Sequence, residues 1–201
     1  MKHFILIVLS LWMITPTSFA ANKKQKSKSA KTTQTTDDST AIHWLTIDEV
    51  QVAMNKQAKK VYMDVYTDWC GWCKVMEKKT FSNKDVIKYM NKNFYAVKFN
   101  AERQDTVMFM GKMFPFSPSQ RANQLAVDLM NGRMSYPTSV ILEENFQNPV
   151  SIPGYLDVVM MEKVLKYLGE NIYKTVQFPE YEKGFVPTWS NSNTETPTVG
   201  H

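Results

Sequence analysis

The sequence predicts an α/β domain built on a central sheet, and three observations lead to that prediction. The segments Val61–Tyr66 and Phe94–Phe99 are rich in Val, Tyr and Phe, which is the composition of buried strands. The segments around them carry helical periodicity and helix-capping residues. Strand and helix patterns alternate along the chain, as expected of an α/β fold.

Local signals define the elements of the first half. Thr46 and Glu49 match a capping box, so a helix is predicted directly after them. The predicted order is a strand at Ile42–Leu45, the helix after Thr46, a strand at Val61–Tyr66, a helix from Cys70 to about Lys79, a helix capped within Ser82–Asp85 and running through Met90, and a strand at Phe94–Phe99.

Residues 101–135 form a long connection. Ser117 and Pro118 are typical of a helix N-cap and first turn, so a helix is predicted from there to Gly132. The preceding segment, Val107–Phe114, is strongly apolar without a clear period. We interpret it as additional core packing; the alternative is an adaptable apolar surface that docks partner polypeptides.

The remaining elements are simple. We predict strands at Thr138–Leu142 and Val150–Ile152, a close turn at Gly154 and a helix from Asp157. Beyond that helix, the aromatic side chains expected to pack back onto the domain are Phe178, Tyr181 and Phe185, and the polar tail from Pro187 is predicted to be disordered.

The chain divides into four segments. Residues 1–20 have a basic start, a short apolar run and small residues before the boundary, which predicts a cleaved secretory signal peptide. The apolar run is shorter than the ~20 residues of a membrane span, so we expect no span after cleavage. We predict that residues 21–41 form a disordered tether rich in Lys, Ser and Thr. Residues 42–172 are predicted to form the folded domain, and residues 173–201 a partly disordered extension.

The net charge of +5 arises mainly from the N-terminal segments. Six of the 24 Lys and Arg residues and two of the 19 acidic residues precede residue 41, which leaves 18 basic against 17 acidic residues. The domain itself is therefore nearly neutral, which argues against nucleic-acid binding.

Both cysteines of the chain lie in one Cys-x-x-Cys motif, Cys70-Gly71-Trp72-Cys73. A helix N-terminus favours a thiolate, so a redox couple is predicted, with Cys70 as the more exposed, attacking sulfur. An inert structural disulfide is the first alternative. A zinc site is the second alternative. Outside the predicted signal peptide only two histidines, His43 and His201, could join the two thiols as ligands, which is thin support for such a site. We therefore predict no metal or cofactor.

The segment Asp64-x-x-x-Asp68-Trp69-Cys70-Gly71-Trp72-Cys73-Lys74 resembles the active site of the thioredoxin superfamily. Tyr136-Pro137-Thr138 matches that superfamily's cis-proline loop, and Lys79–Asn83 is similar to exported relatives such as the C-terminal domain of the thiol:disulfide interchange protein. The resemblance covers residues 43–172. It implies a thioredoxin fold, with a central mixed sheet flanked by helices and an extended insertion before the cis-proline loop.

The resemblance also implies roles for individual residues. Asp64 would be the buried acid that accepts a proton from Cys73, and Lys98 would be its neighbouring lysine; an ordinary hydrogen-bonded acid and a solvated lysine are the alternatives. A cis Pro137 would place the Tyr136 backbone beside the sulfurs, to bind an extended substrate chain. The side chains flanking the two cysteines, which we expect at the substrate surface, are Trp69 and Trp72.

Together these features predict an exported thiol-disulfide oxidoreductase, periplasmic or otherwise extracytoplasmic, that reduces or exchanges disulfides of envelope proteins. A reductase in an oxidising compartment would need electrons from a membrane partner. The alternatives are a disulfide oxidase or isomerase, a non-catalytic docking protein, and a Cu(I)-handling protein. The last rests on the soft thioethers of Met108, Met110 and Met113.

Overall fold

The computed structural model describes residues 40–189. The predicted signal peptide, nearly all of the predicted tether and the end of the C-terminal tail lie outside this range. Within residues 40–189, no helix is both long enough and apolar enough to cross a membrane.

A five-stranded mixed sheet forms the centre of the domain. Its strands are β1 (Trp44–Leu45), β2 (Lys60–Tyr66), β3 (Phe94–Asn100), β8 (Thr138–Leu142) and β9 (Val150–Pro153). Their order across the sheet is β1-β3-β2-β8-β9. The strand β3 pairs in parallel with β1 and β2, whereas β8 runs antiparallel to both β2 and β9. The predicted central mixed sheet is confirmed.

Helices cover both faces of this sheet. They are α1 (Ile47–Lys56), α2 (Gly71–Lys79), α3 (Lys84–Asn93), α4 (Gln124–Leu129) and α5 (Val158–Gly169), and a further helix, α6 (Phe178–Gly184), packs on α5. Side chains of β2 alternate between two cores: Val61, Met63 and Val65 pack with α1 and α4, and Tyr62 packs with α2, α3 and α5. The buried central strand is therefore largely apolar on both sides, and its buried charged residues are Lys60 at its start and Asp64 in its middle.

The predicted helix caps of α1 and α3 are confirmed. Thr46 and Glu49 exchange both capping-box bonds at the start of α1. Asn83 accepts the N–H groups of Asp85 and Val86 at the start of α3, which satisfies two otherwise unpaired donors.

The helix cap predicted at Ser117 is wrong. Phe116–Ser117 (β6) pairs with Ala122–Asn123 (β7) as a small hairpin, and α4 begins only after it. Asn123 is the actual N-cap; its side chain accepts the N–H of Leu125 and donates to backbone oxygens of two neighbouring segments. These longer-range bonds outweigh the local helix signal at Ser117.

The interpretation of Val107–Phe114 as core packing is only half correct. This segment, which we call the methionine hairpin, folds as β4 (Val107–Phe109) paired with β5 (Lys112–Phe114). Val107 and Phe109 are buried, as a core segment would be. Its three methionines are instead exposed: Met108, Met110 and Met113. Successive side chains of a β-strand point to opposite faces, so one face of the hairpin is buried while the other is exposed.

The C-terminal extension packs against α5. Tyr167 on α5 contacts the rings of Phe178 and Tyr181, as the aromatic pattern predicts. Thr188 and Trp189 belong to the tail that composition assigns to disorder, yet their N–H groups donate to the buried Glu162 carboxylate. The prediction of disorder from Pro187 is therefore wrong for these two residues.

Candidate active site

The turn after β2 places both cysteines at the start of α2. Cys70 is the N-cap of this helix, and its N–H donates to the Thr67 carbonyl at 3.2 Å. The cysteines form a disulfide with an S–S distance of 2.08 Å and a Cα–Cα distance of 5.3 Å. The Cys73 N–H donates to Cys70 Sγ at 3.0 Å. A helix N–H directed at this sulfur, together with the helix dipole, would stabilise a thiolate there after reduction.

The expectation that Cys70 is the more exposed cysteine is wrong for the disulfide form. Cys70 is only 3% exposed, whereas Cys73 is partly exposed. Cys70 is the less exposed cysteine because it closes the turn between β2 and α2, whereas Cys73 lies within the first turn of the helix. The N-cap geometry, and not exposure, therefore remains the argument for Cys70 as the attacking sulfur.

Asp64 is the one acid on the buried strand β2. The residue is 3% exposed, and among residues 40–189 its Oδ1 finds no hydrogen-bond partner. Burial raises the pKa of Asp64 to about 7, the Lys98 charge opposes this rise, and Glu77 adds to it. A carboxyl group with a pKa near neutrality can take up and release a proton under physiological conditions.

Lys98 lies on β3 as the register partner of Asp64. Its ammonium group forms an ion pair with Glu77 of α2. The same group lies 5.2 Å from the ring centroid of Trp44 and 5.5 Å from that of Tyr66. Lys98 is thus a packed and paired side chain, unlike the solvated lysine of the alternative interpretation.

Two exposed aromatic side chains flank Cys70 in the sequence, and a tyrosine packs on each of them. Trp69 and Trp72 are 66% and 62% exposed, so they offer large apolar surfaces to solvent. The ring of Trp69 contacts the ring of Tyr136 edge-on, with 5.9 Å between the ring centroids. The rings of Trp72 and Tyr155 are in contact with 5.4 Å between their centroids. We use the name aromatic rim for these four side chains.

The loop before β8 supplies the remaining predicted residues. The Tyr136–Pro137 peptide bond is cis, as the resemblance implies. The Pro137 carbonyl accepts the Gly154 N–H at 2.8 Å, which joins this loop to the turn that carries Tyr155. The contact between Trp69 and Tyr136 brings the loop next to the cysteine-bearing turn.

Three residues of this region are absent from the sequence-based prediction. Glu77 pairs with Lys98, Glu102 accepts the indole N–H of Trp69 at 2.9 Å, and Tyr155 packs on Trp72. Glu77 lies one helical turn after Cys73, so its helix position was a detectable signal. For Glu102 and Tyr155 no local pattern marks the contact. Within residues 40–189, no group of three His, Cys, Asp or Glu side chains is arranged to hold a metal ion.

Comparison with protein families gives one match over most of the chain. The family model Thioredox_DsbH, described as a protein of unknown function (DUF255), matches residues 21–177. A Caenorhabditis elegans protein, uncharacterized protein B0495.5, is 39% identical over 49 residues. That match covers 24% of this chain and only 7% of the nematode protein.

Several solved structures match this chain at low sequence identity. A thioredoxin-fold protein from Helicobacter pylori is 18% identical, with a TM-score of 0.45 over 62% of this chain and 78% of its own. A DsbH oxidoreductase is 14% identical, with a TM-score of 0.46; the match covers 70% of this chain and 94% of that protein. The oxidised DsbD C-terminal domain of Neisseria meningitidis is 17% identical, with a TM-score of 0.38; the match covers 64% of this chain and 97% of that domain. Because these similarities are distant, they carry no conclusion about activity.

Proposed function

The chain belongs to the Thioredox_DsbH family and has a thioredoxin fold, and from this premise we propose that it is a thiol-disulfide oxidoreductase. The observation that carries the proposal is the Cys70–Cys73 disulfide at the N-terminus of α2, on the strand-turn-helix unit that also contains the buried Asp64. An inert structural disulfide would not need an acid with a pKa near 7 on the strand that leads to it.

The proposed reaction begins with the reduced protein. The Cys70 thiolate attacks a substrate disulfide, so that a Cys70–substrate bond forms, the substrate S–S bond breaks and one substrate sulfur leaves as thiolate. Cys73 then transfers its proton to Asp64 and attacks Cys70 Sγ. The Cys70–Cys73 disulfide forms, the second substrate sulfur leaves, and two electrons have passed to the substrate.

The aromatic rim would hold the substrate polypeptide during this exchange. Trp69 and Trp72 offer rigid apolar surface on both sides of Cys70, and aromatic side chains dominate the energetics of many protein interfaces. The backbone at Tyr136–Pro137 would pair with an extended segment next to the sulfurs. Disulfide-containing polypeptides, rather than small thiols, are the substrates that this surface fits.

The compartment and the direction of electron flow are further parts of the proposal. The predicted signal peptide supports export, and disulfide-containing envelope proteins would then be the substrates. A reductase there would be reduced by a membrane electron donor.

Mixed disulfides would reveal these partner proteins. Cys73→Ala should retain the partner proteins as mixed disulfides on Cys70, and Cys70→Ala should retain none. Equal capture by both variants would argue against Cys70 as the attacking sulfur.

The reduction potential of the Cys70–Cys73 couple tests the proposed function directly. The protein is equilibrated with thiol buffers while Trp69 and Trp72 report the redox state by fluorescence. A value near thioredoxin's, about −270 mV, supports a reductase, and a value of about −120 to −180 mV favours the oxidase or isomerase alternative. The absence of any reversible couple would contradict an oxidoreductase of either kind and leave a docking role.

A further inference from the structure

The methionine hairpin is the strongest feature of the molecule that the proposed reaction does not use. Met108, Met110 and Met113 are 48%, 50% and 71% exposed, although Met is an apolar residue that is normally buried. In the register of β4 and β5, Met108 lies directly opposite Met113. Cross-strand partners have Cβ atoms about 4.5–5.5 Å apart on the same face, so the two thioethers can reach a common point.

The third methionine lies in the turn of the hairpin. Met110 and Gly111 have φ values of 48° and 74°, the left-handed region at both turn positions. Hairpin turns of this type strongly prefer Asn-Gly or Gly-Gly, since other side chains are strained there. A methionine at this strained and exposed position places a thioether at the tip of the hairpin, two residues from Met108 and three from Met113.

Gln51 of α1 holds the hairpin in place. Its side-chain amide donates to the Met108 carbonyl at 3.1 Å and accepts the Met110 N–H at 2.9 Å. Both bonds go to the backbone of methionine residues. Phe109 anchors the opposite face by packing on Phe146 at 4.9 Å between ring centroids. The hairpin backbone is therefore preorganised, so that a ligand need not order the chain as it binds.

From this arrangement we propose that Met108, Met110 and Met113 form a Cu(I) site on the methionine hairpin. Thioether sulfur is a soft ligand that selects Cu(I) over Mg²⁺, Ca²⁺ and Mn²⁺, which prefer oxygen ligands. Three neutral ligands leave the ion with its single positive charge, and the exposure of the site keeps that charge in contact with water. Binding involves no electron transfer and does not require the Cys70 or Cys73 thiols.

Anaerobic titration with Cu(I) tests the site in the full chain carrying Cys70→Ser and Cys73→Ser, which removes the competing thiols. Affinity is measured by competition with a chromogenic Cu(I) chelator. We expect one bound Cu(I), and at least a tenfold loss of affinity when Met108→Leu and Met113→Leu are added. Leu has nearly the volume of Met, so the hairpin should fold unchanged, as circular dichroism would verify.

Two further variants separate the hairpin site from other methionines. Met160→Leu, at a half-buried position on α5, should bind Cu(I) as the parent does. Gln51→Ala should weaken binding severalfold without removing a ligand, because the hairpin is then less fixed. The proposal is overturned by the absence of competitive binding, by unchanged affinity in the double Leu variant, or by equally tight binding of Zn²⁺, which thioethers alone would not provide.

Discussion

Lys98 is the register partner of Asp64 on the neighbouring strand, yet its ammonium group forms an ion pair with Glu77 of α2. The cation that acts on the buried acid is therefore shared with a second carboxylate. The Lys98 charge lowers the pKa of Asp64, whereas the Glu77 charge raises it. Glu77 thus raises the pKa of Asp64 by its own charge and also pairs with the cation that opposes this rise, so it is a positioning residue in the proposed reaction.

Glu77→Gln should lower the pKa of Asp64 from its value of about 7, because it removes a repelling charge and frees Lys98. The carboxyl ¹³C resonance of Asp64 followed against pH measures this pKa directly. The acidic limb of the pH–rate profile for substrate disulfide reduction should move in the same direction. Glu182→Gln is a matched control, since Glu182 pairs with Lys163 and is 46% exposed, against 47% for Glu77. An unchanged or higher Asp64 pKa would contradict this account.

Asp64→Asn should stabilise the protein above pH 7 and have little effect near pH 4. The folded-state pKa of about 7 lies above the unfolded value of about 3.9, so the native protein holds a proton that the unfolded chain releases. The Asp64 protein therefore loses stability as pH rises from about 4 to 7. The loss at pH 8 is at most about 4 kcal/mol.

Urea unfolding of both proteins at pH 4 and pH 8 measures this difference. The same substitution should slow disulfide reduction, because Cys73 loses its proton acceptor. A variant that is less stable than the parent at pH 8 would show that Asp64 contributes favourable interactions as an ion, and would remove the reason for its raised pKa.

The sequence was sufficient to predict the features that depend on local patterns. Signals within a few residues predicted β2, the helix with Cys70 at its start and a helix cap within Ser82–Asp85. The cis bond before Pro137 was expected only from the resemblance to the thioredoxin superfamily. The burial of Asp64 was likewise expected from that resemblance, and its position on the central strand β2 accounts for it.

The features that sequence did not predict depend on contacts between distant segments. Trp72 and Tyr155 meet only because the turn after β9 folds against the start of α2. The Ser117 cap signal is locally sound, but pairing of β6 with β7 replaces it. The exposure of Cys70 likewise depends on how the whole turn packs, which no spacing rule specifies.

Trp72→Ala should slow reduction of polypeptide disulfides several-fold while leaving reaction with a small dithiol unchanged. The Trp72 side chain is 62% exposed and packs on Tyr155, so its loss removes docking surface with little effect on the fold. Rates with a disulfide-containing peptide and with dithiothreitol, measured in parallel, separate these effects. Val52→Ala, at another exposed apolar position, should change neither rate. An equal loss with both substrates would place Trp72 in the redox step instead of docking.

The C-terminal segment should depend on the ionised carboxylate of Glu162. This carboxylate is fully buried and accepts the N–H groups of Thr188 and Trp189, both at 2.9 Å, and the Lys166 ammonium at 2.6 Å. Burial raises the pKa of Glu162, but the bonds from Lys166, Thr188 and Trp189 together outweigh it, so the net pKa is lowered. The stabilisation is therefore complete above the unfolded pKa of about 4.3 and is lost as pH falls through the lower folded value.

Glu162→Gln should destabilise the protein by about 1–3 kcal/mol at pH 7, because the amide cannot accept all of these donors. It should also release Trp189 from Tyr89, which it contacts at 5.2 Å between ring centroids, and so shift tryptophan fluorescence toward that of exposed indole. Urea unfolding and emission spectra measure the two effects. Glu180→Gln is the control, since the Glu180 side chain is 72% exposed and pairs only with Lys183 among the residues described. If Glu162→Gln matched this control in both measurements, the segment would be held by the packing of Trp189 alone, because the carboxylate would then contribute nothing beyond what an amide supplies.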